Sequence, residues 1–148
     1  MNLGLLAAKG ELIAYLCDDD WFYEHKLDIM DKFFVAHPGC MIAFGKQILF
    51  EELNGNKLIK GIRDPGEDLM DAYKRVDHSS VVHRRECYDI VGPWDDSREV
   101  WLEADAQYWR KLTAQGWIFS YIPEVLDAHC FNRGSVTTGM RYKIWAQS

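Results

Sequence analysis

Positive charge is scarce in this sequence: 17 Lys and Arg stand against 23 Asp and Glu, a formal net charge of −6 over 148 residues. Unaided binding to a polyanion needs clustered cations to neutralise phosphates, so the balance argues against nucleic acid as a partner. Long apolar runs are missing as well. The segment Ile13 to Cys17 follows Lys9 and Glu11 and is far too short for a signal h-region or a transmembrane span. Cysteine is sparse and unpaired in pattern: Cys17, Cys40, Cys87 and Cys130 are widely spaced, form no CxxC, and lie in or beside apolar runs. Buried thiols in a reduced, cytoplasmic protein fit that usage. The 5 histidines include no pair at helical i, i+4 spacing beside an acid, which argues against a zinc enzyme. There is no internal repeat, no low-complexity tract and no Pro/Gly-rich linker, so residues 1–148 are expected to form a single domain.

What is present is enough apolar material for one core, 48% hydrophobic and 14% aromatic. Asn2 to Lys9 favours a helix stopped at Gly10, and Leu12 to Leu16 is a continuous apolar run of the kind buried on both faces in a parallel sheet. Glu24 to Ala36 carries apolar residues near helical spacing and ends at His37-Pro38-Gly39. Cys40 to Phe50 and Leu58 to Ile62, split by Asn54-Gly55-Asn56, predict a hairpin. Beyond Asp64-Pro65-Gly66, a helix is expected over Glu67 to Val76, a strand over His78 to His83 and a short helix over Arg84 to Val91. A helix from Leu102 to Gln115 and a strand from Trp117 to Ile122 come next, then a loop at Asn132 to Ser135. The tail 138–148 is either flexible or packed through Tyr142 and Trp145. The expected fold is α/β, with a mixed, mostly parallel sheet flanked by helices.

Two acidic clusters stand out. Asp18-Asp19-Asp20 follows the apolar run directly, and ligands in open α/β sheets collect outside the carboxyl ends of strands. Three adjacent carboxylates repel one another, and a divalent cation bridging them to a diphosphate removes that cost. The plainer alternative is a solvated acidic turn capping the next helix. Glu103-Ala104-Asp105 opens a helix, where the macrodipole favours ionised carboxylates, although acids in a first turn are also ordinary decoration. An ionised carboxylate there is able to deprotonate a sugar hydroxyl. His129 lies past the last expected strand, in a loop that can fold back towards the acids. Trp94 and Trp101 flank the loop before the second cluster, where an exposed indole stacks on a sugar ring, or else both belong to the core.

The order of these pieces resembles the inverting GT-A glycosyltransferases of the family 2 type. Asn2 to Trp21 looks like that family's helix, Gly-Glu, apolar strand and DxD element, and Glu24-His25-Lys26-Leu27 is similar to the family's next segment. His83-Arg84-Arg85 with Ile90 to Asp95 resembles the stretch before the acidic catalytic motif, with Trp94 and Asp95 in its acceptor loop. Glu103-Ala104-Asp105 with Tyr108 to Leu112 looks like that motif and its helix, and Ile122 to Leu126 like the next strand. The resemblance implies a partial GT-A fold spanning about residues 2 to 137. It implies that Asp18 and Asp20 are the outer acids of DxD, touching the nucleotide and a divalent metal, Mn2+ or Mg2+, with Asp19 able to replace either. Asp105 is implied as the base, with Glu103 as its substitute. A further metal contact is implied before Ser135-Val136-Thr137, where strict spacing gives Asn132 and His129 lies three residues earlier. Cys17 stands where many relatives carry another aspartate.

The implied partners are a nucleoside-diphosphate sugar and a sugar or lipid-linked acceptor. Met1 falls in the helix before the DxD strand, so the family's N-terminal nucleotide-binding half has no counterpart in this sequence. An exposed sheet edge and apolar surface are therefore expected, inviting homo-oligomerisation or association with another chain. A non-catalytic binding or assembly module on the same scaffold is the competing reading, and a metal-dependent phosphoester hydrolase is a third.

Overall fold

The computed structural model describes residues 1–73, 75–97, 99 and 103–131. Helix α1 (Asn2–Ala7) leads into strand β1 (Leu12–Ala14), and strand β2 (Trp21–Phe22) precedes helix α2 (Lys26–Ala36). Strands β3 (Ile42–Leu53) and β4 (Asn56–Arg63) follow, then a 3-10 turn at His78–Ser80, strand β5 (Val81–Arg84) and helix α3 (Arg85–Val91). Helix α4 (Ala104–Thr113) and strand β6 (Phe119–Cys130) complete the described elements.

The hairpin between β3 and β4 is dictated by its turn. Asn54 (φ 53°) and Gly55 (φ 76°) are the two loop residues, and a tight hairpin whose twist matches its strands needs positive φ at both. Strand β4 carries one extra residue, Lys60, where the pairing passes from Leu49↔Gly61 to Phe50↔Ile59. Strand β3 is the spine of the sheet, whose order is β1-β5-β3-β6-β2 with β4 also on β3. Its successive residues face opposite ways, so Ile42 and Phe44 enter one cluster and Ala43 the other. The first cluster gathers Trp109 and Leu112 from α4 and Cys87 from α3, and the second gathers Met30 and Phe34 from α2. Helices thus cover both faces, as a mixed α/β architecture requires.

Several expectations are corrected. The sheet is mixed, but among the described strands only β3–β6 is parallel, and the other four pairings are antiparallel. The cause is local: β3 turns straight back into β4, and β5 lies between β1 and β3 running against both. Strand β1 is accordingly an edge strand paired only with β5 among the described residues, with Ile13 buried and Ala14 exposed. Beside it in sequence, α1 leaves Leu3 and Leu6 82% and 69% exposed. The helix expected over Glu67 to Val76 does not form among the described residues of that stretch. Leu69 exchanges both backbone hydrogen bonds with Phe119, at 2.9 and 3.0 Å, which pins that backbone extended at the start of β6. The strand expected over His78 to His83 begins as the 3-10 turn, and β6 runs on to Cys130, well past Ile122. All four cysteines are free, and no described helix is long and apolar enough to cross a membrane.

Candidate functional site

Between β1 and β2 the chain turns through Cys17 to Asp20, with the Asp20 N–H donating to the Cys17 carbonyl at 3.4 Å. That turn sends its last carboxylate inward. Asp20 is 8% exposed, while Asp18 and Asp19 are exposed. The Asp20 Oδ1 accepts from the Cys130 N–H at 2.9 Å, and its Oδ2 accepts from the Ser79 hydroxyl. His129 places Nδ1 3.1 Å from Asp20 Oδ1. Burial by itself raises the proton affinity of Asp20, but His129, Ser79 and the Cys130 N–H together outweigh it and hold the carboxyl below its ordinary range. For His129 burial acts downward, and the Asp20 hydrogen bond with the Asp77 charge more than offsets it, so the imidazole is shifted up.

His129 lies inside β6 and not in a loop beyond the last strand, and the strand itself carries it to the acids. Asn132 and Trp101 lie outside the described residues.

Three residues beyond the sequence-derived candidates complete the arrangement. Asp77 opens the 3-10 turn, its carboxylate accepting from the Ser79 N–H at 3.0 Å, with Oδ1 3.9 Å from His129 Nδ1. His78 directs Nε2 at the Cys17 sulfur, 2.9 Å away, and Nδ1 towards Asp77 Oδ1 at 3.6 Å and Asp105 Oδ2 at 4.0 Å. Ser79 is the third. The Asp77-His78-Ser79 run does hold a sequence signal, an Asp capping an N–H two residues on, which competes with the strand periodicity of the apolar pair Val81-Val82.

Among the described residues, ligating atoms within 4.8 Å of one another fall into three groups: Asp20 with Asp77 and His129, Asp77 with His78 and Asp105, and Cys17 with Asp19 and Asp20. Asp19, not Asp18, therefore shares a group with Asp20. The Cys17 thiol is pushed up to about 12 by burial and by the four aspartates Asp20, Asp77, Asp19 and Asp18. Two carboxylates and one imidazole, as in the first group, suit Mn2+, and Mg2+ accepts the oxygens.

Asp105 sits in the first turn of α4, with Oδ1 accepting from the Ala106 N–H at 2.7 Å. The macrodipole alone would hold it ionised. Burial instead prevails over the Ala106 hydrogen bond and the His78 charge and raises its proton affinity. Glu103, at the N-cap of α4, accepts from the Tyr73 hydroxyl at 2.7 Å. Trp94 is corrected as a sugar-stacking platform: it is 5% exposed, stacked on Tyr108 at 5.0 Å, with its ring N–H donating to the Tyr15 hydroxyl at 3.3 Å. An indole so enclosed offers no open face. Asp95 is exposed and accepts from the Ser97 N–H at 2.9 Å, a bond that lowers its pKa.

This arrangement of strands and helices recurs in solved structures. S. aureus TarS in complex with UDP-GlcNAc superposes with a TM-score of 0.66 at 15% identity, over 93% of this chain and 39% of that one. S. aureus TarS in complex with UDP gives 0.65 at 14% identity, over 89% of this chain and 39% of that one. The chain shares the fold of these TarS structures. In sequence, the chain is 32% identical over 133 residues to the protein CgeD of Bacillus subtilis (strain 168), covering 86% of this chain and 31% of CgeD. It thus spans about a third of the length of that curated relative. No family model matches the sequence.

Proposed function

We propose that this chain carries the cation-binding and acceptor-side part of an inverting, family 2 type GT-A glycosyltransferase that moves a sugar from a nucleoside diphosphate to an acceptor hydroxyl. The observation that carries the reading is the meeting of Asp20, Asp77 and His129 within one ligand sphere, with Asp105 on the other side of His78. In this reading Asp20, Asp77 and His129 hold Mn2+ or Mg2+, and the exposed Asp18 and Asp19 face the nucleotide. The cation, when bound, neutralises charge on the departing diphosphate. Asp105 takes the proton of the acceptor hydroxyl. Its upward shift suits that role, because a base works best when its pKa approaches the working pH. Glu103, already engaged by Tyr73, borders the base. Binding of UDP and UDP-GlcNAc by TarS supports a uridine nucleotide as the first donor to try. The four free thiols support a cytoplasmic setting.

The test is release of UDP from UDP-GlcNAc with Mn2+ and a panel of sugar and lipid-linked acceptors. Asp105→Asn is expected to lower turnover about 10²–10⁴-fold, the usual worth of a positioned general base. Turnover equal in the variant and the wild type contradicts the assignment.

A second reading, an assembly module without catalysis, is favoured by the one-sided β1 edge together with exposed Leu3 and Leu6. It takes a second copy of the chain as its partner. Wild-type protein that transfers no sugar but self-associates through this edge supports it.

A further inference from the structure

Lys26 and Asp127 stand 101 residues apart in sequence and meet with both side chains 0% exposed, Nζ to Oδ2 at 2.8 Å. Taking an ammonium and a carboxylate out of water costs several kcal/mol each, and apolar residues of similar volume often fill such a space as well or better. Core stability therefore does not explain the pair, and its contacts do.

The Lys26 ammonium also donates to the Ser79 carbonyl and lies 3.9 Å from the centre of the Phe22 ring in β2, two residues after Asp20. Ser79 in turn donates its hydroxyl to Asp20 and its N–H to Asp77. On the other side, Asp127 Oδ1 accepts from the Gln47 amide at 2.7 Å, and Gln47 Oε1 accepts from Arg63 at 2.6 Å. The same Arg63 nitrogen lies 3.8 Å from Asp77 Oδ2, which closes a ring through Lys26, Ser79, Asp77, Arg63, Gln47 and Asp127. Asp77 is part of this ring and Asp20 hangs from it through Ser79. His129, the third prospective ligand, follows Asp127 by two residues on β6 and so shares its face.

We infer that the buried Lys26–Asp127 pair positions the cation ligands. Through Ser79 it fixes Asp20, through Gln47 and Arg63 it fixes Asp77, and through the pleat of β6 it fixes His129. Lys26 and Asp127 touch no ligand in this account; they act through the groups that do. The inference rests on the cation reading above. Partners that orient metal ligands commonly change affinity about 10–100-fold when removed.

The test is Mn2+ binding, read by the loss of the free-ion electron paramagnetic resonance signal, in proteins whose melting temperatures are measured alongside. A Lys26→Met/Asp127→Leu double variant removes both charges while filling the volume. It leaves the buried Gln47 amide and Ser79 carbonyl without these partners, so it is expected to melt below the wild type while staying folded, and to bind Mn2+ at least about tenfold more weakly. Ser79→Ala is expected to weaken binding by about as much, Ser79→Thr to retain it, and Ser79→Ala to add little in the double-variant background. A folded double variant with wild-type affinity overturns the positioning role. Should the double variant fail to fold, Ser79→Ala against Ser79→Thr decides, and equal affinity in those two overturns it. Wild-type protein that binds no Mn2+ overturns the cation reading and the positioning role together, whereas variants that match a binding wild type overturn the positioning role alone.

Discussion

His83 is a buried histidine that the cation site does not use. Its ring nitrogens face the Arg84 carbonyl at 2.7 Å and the Tyr15 hydroxyl at 2.6 Å, so Nδ1–H donates to the carbonyl and Nε2 accepts from the hydroxyl. Burial drives its pKa down from 6.5 to about 4, against a smaller upward pull from the Arg84 carbonyl. The unfolded chain takes up this proton below its ordinary pKa and the folded chain does not, so stability falls as pH drops from about 6.5 to about 4 and levels below that. Between pH 7 and pH 5 the loss from this residue is about 2 kcal/mol. Urea unfolding at the two pH values should show that extra loss in the wild type and not in His83→Gln, whatever the variant's baseline; equal pH dependence contradicts the account. Gly45 tests packing in the same way. A Cβ there meets Leu126 at 2.6 Å and the Glu124 carbonyl at 3.0 Å, because β6 bulges past β3 at this point. Gly45→Ala should cost about 1–3 kcal/mol by overpacking, measured by chemical denaturation, and a neutral result contradicts so close an approach of the two strands.

At the scale of elements, much of the fold was legible, and the reasons differ from one element to the next. The Asn54-Gly55 turn is visible because only a few residue types tolerate its backbone, and α2 is visible because its apolar face repeats at helical spacing. Glu67 to Val76 misled for the same reason. Leu69, Ala72 and Val76 repeat as in a helix and are all buried, yet Leu69 is claimed by a backbone partner far along the chain, Phe119. The candidate site divides along that line. Asp20 and Asp105 stand out as candidates through local acidic patterns, and His129 only through its place beyond an apolar run, since the family-like spacing points to Asn132. Asp77, Lys26 and Asp127 do not, because their meaning lies in partners from distant parts of the chain. The 3-10 turn offers a test that separates its two uses of Asp77. Asp77→Asn keeps a side-chain oxygen to cap the Ser79 N–H, so melting should change by no more than about 0.5 kcal/mol of stability, while Mn2+ affinity should fall about tenfold or more. An Asp77→Asn protein that binds Mn2+ like the wild type removes Asp77 from the ligand sphere.

For the molecule as a whole, the net charge is −6, and among the described residues β1 is paired on one side only. If the edge serves a second copy, sedimentation should reveal concentration-dependent dimers that Leu3→Glu/Leu6→Glu disperses, and a wild type that stays monomeric at every concentration contradicts that use. The cation site itself depends on the convergence of Asp20, Asp77 and His129 onto one point from the β1–β2 turn, the 3-10 turn and β6. It is tested most directly by titrating Mn2+ into the wild type and Asp20→Asn, with and without UDP. Saturable Mn2+ binding by the wild type, tightened by UDP and lost in Asp20→Asn, is expected; no saturable binding, or binding equal in the two proteins, removes the cation site.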